Sequence, residues 1–200
     1  MPQDRLALAT LTGSRICHDL ASPLGAVANG LELLDLSGTP ESPELTLIRD
    51  SISGARATLA LLRLAFGQAG PQETLASETL QDIARGYYRA RPRLTLEWSA
   101  HGELSRARAQ ILLLALLSAE QALPRGGRLI VQQDGPVWQI TAEAEILSPD
   151  MTLWNAVSGH TPLPGIDPRS VNFITLKECL DQQGSSLSIS LDATGLRLSL

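Results

Sequence analysis

Residues 14–34 read SRICHDLASPLGAVANGLELL, and the spacing of their apolar side chains decides the architecture expected of the chain. Cys17, Leu20, Leu24, Val27, Leu31 and Leu34 recur at intervals of three and four, the pattern of a helix packed along a seam. At about 100° per residue, His18 falls roughly 150° from the centre of that stripe, in company with Arg15, Ser22 and Asn29. Its imidazole is therefore expected to face water.

Working outward, this helix is expected over residues 3–36, where Ser37, Gly38, Thr39 and Pro40 stop it. Pro23 lies inside and lacks the amide that would bond the carbonyl of Asp19, so a bend one turn past His18 is expected. A second helix opens with Ser42 as N-cap, Pro43 at the first helical position and Glu44 in the first turn. Its stripe is Leu45, Ile48, Ile52, Ala55, Leu59, Leu62 and Phe66, with Gly67 placed to end it. A two-helix hairpin cannot cover both stripes. Burying even half of these side chains at ~2 kcal/mol each favours self-association before entropy is charged. The expected assembly is a homodimer whose hairpins form a four-helix bundle; the alternative is that the C-terminal part covers the stripe.

QAGPQET at residues 68–74 has the Gly, Pro and polar residues of a linker. Residues 1–68 thus form one expected domain and residues 74–200 another. In the second, helices are expected at 77–89, 106–123, 151–157 and after Pro168 to Gln183. Strands are expected at 93–99, 128–133, 137–142, 187–191 and 196–200. Strands mixed with packed helices make this unit an α/β sandwich, and the whole chain α+β.

Composition bounds the function. Two hundred residues, 44% hydrophobic and 18% charged, describe a globular chain. A net charge of -5 disfavours a nucleic-acid binder, whose footprint is basic. The opening MPQDRLALATLTG does not read as a signal peptide, and the longest purely apolar run, residues 111–117, falls far short of the roughly 20 residues a membrane span needs. A cytoplasmic location is expected, with Cys17 and Cys179 as reduced core residues.

The run HDLASPL, residues 18–24, resembles the H-box of two-component histidine kinases, where an acidic residue follows the phosphorylated His and a Pro stands five positions on. The longer string CHDLASPLGAVANGLELL resembles the ChpT-like histidine phosphotransferases, dimeric phosphorelay proteins. The order of elements after residue 74 resembles a histidine-kinase ATP-binding domain, best in ILLLALLSAEQALPRGGRLIV. Pro124, Gly126 and Gly127 match the Pro-x-Gly-Gly turn, but the Mg²⁺-holding Asn positions carry Ser118 and Leu114. Thr141, Ala142, Glu143, Ala144 and Glu145 stand where an Asp-x-Gly-x-Gly segment would grip adenine. Arg169, Ser170, Val171, Asn172 and Phe173 stand where a glycine loop would cradle phosphate. The resemblance implies a kinase-like fold without nucleotide chemistry.

It also implies a phosphorelay function, with His18 taking phosphoryl groups from one response-regulator receiver domain and passing them to another. Neutral imidazole is a competent nucleophile at phosphorus. No cofactor is expected in the protein itself; Mg²⁺ is expected from the receiver domain's acidic pocket. Asp19 is expected to orient the imidazole, Arg15 to neutralise phosphoryl oxygens, and Ser22, Gly25 and Asn29 to form the docking surface. Two other readings compete: an ATP-dependent kinase with divergent boxes, and a non-catalytic dimer scaffold. The basic segment of Arg85, Arg89, Arg91 and Arg93 with Tyr87 and Tyr88 reads as a solvated helix end or, failing that, a surface for an acidic receiver.

Overall fold

The structure, a computed structural model, describes residues 2–68, 73–162, 165, 167–192 and 195–200; for residues 2–12 and Ser14 it describes the backbone alone. The first part of the chain is α1 (Pro2–Leu36) and α2 (Pro43–Phe66). Then follow β1 (Thr74–Ala76), α3 (Ser77–Arg89), β2 (Leu94–Trp98), β3 (Glu103–Ser105) and α4 (Arg106–Glu120). The chain continues with β4 (Gly127–Asp134), β5 (Val137–Glu143), α5 (Met151–Val157), α6 (Val171–Gln183), β6 (Ser188–Leu191) and β7 (Leu196–Ser199). Two compact units result: Met1–Gln68 with Asp82–Ala90, and Ala69–Gln81 with Arg91–Leu200.

In the helical unit, α1 continues as a helix through Pro23. Its end is tied off by Ser37 donating its amide to the Leu33 carbonyl and by Gly38 in the left-handed region at φ +72. The Ser42 hydroxyl accepts from the Leu45 amide at 3.3 Å to cap α2. The same Ser42 hydroxyl, with the Glu44 backbone amide, holds the Glu44 carboxyl below its usual range. Arg49 then clamps the turn, forking onto both oxygens of Asp35, one at 2.7 Å, with Glu41 3.6 Å from its Nε.

The seams do not fall quite where the stripes suggest. Among the described side chains of α1, Ala28 and Leu31 are buried, with Leu24 beside them half-buried. Leu20, Val27 and Leu34 remain exposed, and Ile16 joins their row. On α2 the fully buried residues are Leu61 and Ala65, outside the expected stripe, whose members Ile52, Leu59, Leu62 and Phe66 are half-buried and Ile48 exposed. The physical reason lies in α3. A Cβ at Gly54 would stand 3.1 Å from Ala90 Cβ, and one at Gly86 the same distance from Ala57 Cβ. Two glycines thus let α2 and the C-terminal turns of α3 cross closely, giving α2 a second packed face.

In the second unit, a five-stranded sheet has the order β2-β4-β5-β7-β6, with β2 and β4 parallel and the other pairs antiparallel. Leu129, Val131, Trp138, Ile140, Ala142, Leu196 and Leu198 face inward and are buried. Helix α4 packs behind the sheet with every residue from Ala109 to Ala119 buried, which explains why it lacks an amphipathic pattern. Trp154 of α5 and Phe173 of α6 meet edge to face at 4.8 Å. On the outer face Arg128 bridges Glu143 at 2.5 Å and Glu97 at 3.2 Å across three strands. The expected α+β class and sandwich stand.

Three local expectations change. Helix α4 ends at Glu120, and residues 121–123 form turns, with Gln121 donating its amide to the Ser118 carbonyl. Thr74–Ala76 and Glu103–Ser105, where no strand was expected, pair as a separate antiparallel sheet. Three-residue strands carry too little periodicity to be read. The strand expected at 93–99 is shorter, Leu94–Trp98, and ends in buried Trp98, whose Nε1 donates to the Ser77 hydroxyl at 3.0 Å.

Candidate functional site

The site is built from one turn of α1. Arg15 and Asp19 are four residues apart and therefore neighbours on the helix surface. Arg15 Nε donates to Asp19 Oδ2 at 2.8 Å, while Asp19 Oδ1 lies 3.3 Å from His18 Nδ1. The His18 side chain is 83% exposed. The exposed row of Ile16, Leu20, Val27 and Leu34 lies roughly 180° around the helix from it. An ionised carboxylate only accepts hydrogen bonds, so the His18–Asp19 contact requires Nδ1 to carry the proton. Nε2 is then left with its lone pair directed at solvent, the arrangement of a nucleophile open to an incoming group.

The three residues read as reactive thus come together. The three read as a docking surface are placed along the same face. Ser22 and Asn29 are exposed, and a Cβ built on Gly25 would meet nothing within 4 Å, so the face is open at that point. By helical rise they stand about 6, 10 and 16 Å along the axis from His18. Further along, a groove of about 310 Å³ opens between α1 and α2, floored by Ala28, Leu31 and Ile52 and edged by Glu32, Arg49, Ser53 and Arg56. Sequence reading did not reach the α2 members, because they come together only when the hairpin register is known. The Arg15–Asp19 ion pair was missed as well: the sequence reading assigned Arg15 to the phosphoryl oxygens, although a spacing of four residues on a helix is the signal that could have found the pair.

The other two histidines sit in simpler surroundings. His101 lies 3.6 Å from Glu78, and His160 Nδ1 lies 2.8 Å from the Ser158 hydroxyl just past α5. Among the described residues, no group of three or more His, Cys, Asp or Glu is arranged to hold a metal ion. No described helix is long and apolar enough to cross a membrane. Cys17 is half-buried and free, while Cys179 is buried and free. Burial pushes the Cys179 thiol up to about 11.

At the positions that the sequence reading set against the kinase nucleotide boxes, several groups are engaged within the chain. Ser118 is fully buried, and its hydroxyl donates back to the Leu114 carbonyl at 2.8 Å. Glu143 is bound to Arg128. Ahead of α6 the amides of Arg169 and Ser170 both donate to Asp167 Oδ1, at 2.6 and 2.9 Å. The chain's own carboxylate occupies these backbone donors. Gly126 and Gly127 have a backbone role: a Cβ at Gly126 would fall 2.2 Å from the Arg93 carbonyl oxygen, which accepts from the Gly127 amide at 2.9 Å. They let β2 and β4 start in parallel register.

Residues 77–195 match the family model described as the histidine phosphotransferase C-terminal domain. The chain is 37% identical over 196 residues to the protein phosphotransferase ChpT of Brucella abortus, covering 94% of this chain and 91% of that protein. Among solved structures, a bacterial phosphotransferase is similar at 29% identity with a TM-score of 0.71, covering 98% of this chain and 95% of the other. The histidine kinase domain of a blue-light activated kinase from Erythrobacter litoralis aligns at 12% identity with a TM-score of 0.47, over 98% of this chain and 92% of that one.

Proposed function

The chain belongs to the histidine phosphotransferase family, and from that premise we propose that it relays phosphoryl groups between response-regulator receiver domains through a phosphohistidine at His18. The observation that carries the residue assignment is the open Nε2 of an imidazole whose Nδ1 faces a carboxylate. In the forward step the Nε2 lone pair attacks the phosphorus of the donor's aspartyl phosphate. An Nε2–P bond forms, the P–O bond to the donor breaks, and the donor carboxylate leaves with the bonding electrons. Asp19 accepts the Nδ1 proton's hydrogen bond as positive charge builds on the ring. In the return step an acceptor carboxylate attacks phosphorus and neutral imidazole departs. A divalent cation in the receiver's acidic pocket supplies charge neutralisation at the transferring group.

The protein acts as a homodimer in this reading, with the exposed row of Ile16, Leu20, Val27 and Leu34 and the half-buried row of α2 forming a four-helix bundle. His18, opposite the first row, then stays outside the seam. Ser22, Gly25 and Asn29, with the groove edged by Ser53 and Arg56, form the surface on which the receiver sits. ATP plays no part, a reading supported by the burial of Ser118 and by the engagement of the amides ahead of α6 with Asp167.

The test is phosphoryl transfer from a phosphorylated receiver domain. His18→Ala should abolish labelling while changing stability by no more than about 0.5 kcal/mol, since the side chain is exposed. Labelling of a folded His18→Ala protein would overturn the assignment.

A further inference from the structure

Arg15 invites assignment as a direct phosphoryl contact, but its geometry points elsewhere. Its Nε is committed to Asp19 Oδ2 at 2.8 Å, and the other oxygen of that same carboxylate is the one facing His18 Nδ1 at 3.3 Å. An exposed Asp beside an exposed His has no packing to fix its rotamer, and a 3.3 Å contact alone is a weak restraint. The one-turn reach of Arg15 supplies the missing restraint. We infer that Arg15 is a positioning residue, acting on His18 through Asp19: it holds the carboxylate so that the imidazole keeps its proton on Nδ1 and offers Nε2 to phosphorus.

The inference rests on His18 being the phosphoacceptor. Where that reading makes Asp19 a partner of the ring, this one makes Arg15 and Asp19 a single unit. Residues acting as a unit give non-additive effects when removed together. The Arg15–Asp19 pair is exposed and screened, so Arg15→Ala should slow transfer only about two- to fivefold. Asp19→Asn, which removes a charged acceptor, should slow it about tenfold. The double variant Arg15→Ala/Asp19→Asn should be no slower than Asp19→Asn alone, because Arg15 then has nothing to act on. Arg15→Lys, which can still reach a carboxylate four residues on, should restore most of the rate.

Nitrogen-15 NMR of the unphosphorylated protein, at a pH where His18 is neutral, adds a readout that a merely structural role would not move. The wild type should show the Nδ1–H tautomer at His18, and Arg15→Ala should shift it toward Nε2–H. If the wild type accepts no phosphoryl group, the phosphoacceptor reading falls and this inference with it. If the wild type is labelled but the double variant shows the product of the two single effects, Arg15 contacts the phosphoryl group independently and the positioning role alone is overturned. An unchanged tautomer in Arg15→Ala overturns it equally.

Discussion

Replacing Val27 by Asp should separate the proposed dimer without unfolding the hairpin. Ile16, Leu20, Val27 and Leu34 of α1 and Ile48 of α2 are each between 38% and 55% exposed in the single chain. Fully burying such a side chain is worth ~1.5–3 kcal/mol, so covering the exposed half yields about 1 kcal/mol each. Five residues on each of two chains give about 10 kcal/mol, and the half-buried α2 row adds more; association costs ~4–15 kcal/mol. Val27→Asp removes about 1 kcal/mol per chain and places an unpaired carboxylate in the seam, at several kcal/mol further. The dissociation constant should rise by more than about a thousandfold. Because Val27 is nearly half exposed in one chain and the hairpin seam runs through Ala28 and Leu31 instead, helicity by circular dichroism should be retained. Light scattering at micromolar concentration should give twice the chain mass of 21.4 kDa for the wild type and the single-chain mass for Val27→Asp. A wild-type mass of one chain, or a dimeric Val27→Asp protein, would refute the reasoning.

Other outcomes follow from the second unit. Mg²⁺ with ATP should give no saturable heat by calorimetry and no labelling from the γ-phosphate, since the Ser118 hydroxyl is buried and bonded to its own helix; low-micromolar binding would restore the kinase reading. Iodoacetamide at pH 8 should modify Cys17 in the native protein but Cys179 only after denaturation. With its thiol pushed up to about 11, Cys179 has roughly a thousandth of its population as thiolate, and it is buried besides; fast native labelling of Cys179 would contradict its placement. Burial first, and then Asp181, raise the Glu178 carboxyl above its usual range, so its ionisation opposes folding. Its contribution to stability is present below the unfolded carboxyl range, about pH 4, and is lost as pH rises through the raised folded value. Glu178→Gln should accordingly raise Tm at pH 7 and leave it unchanged near pH 3; a lower Tm at pH 7 would reverse the sign.

What the sequence disclosed was what periodicity and caps can encode. Ser42 with Pro43 announced α2, and Gly67 its end, where the Gly67 amide donates to the Arg63 carbonyl at 3.0 Å. The strand read at 93–99 is there as β2. His18 was read on the solvent face from angle alone, and it is there. The second packed face of α2 was hidden because its close approach to α3 rests on Gly54 and Gly86, residues that leave no hydrophobic signal. The groove residues Ser53 and Arg56 were hidden because only the hairpin register brings them beside Glu32. The kinase-like Pro-x-Gly-Gly turn was legible as a string, but its use, admitting the Arg93 carbonyl beside Gly126, needed three dimensions.

The central claim is that one imidazole carries the phosphoryl group, and mapping it is the most direct measurement. After incubation of the wild-type protein with a phosphorylated receiver domain, digestion under alkaline conditions and mass spectrometry should place an acid-labile phosphate on the peptide containing His18. Phosphate on the peptides containing His101 or His160, or none on any histidine while the receiver loses its own, would contradict the account.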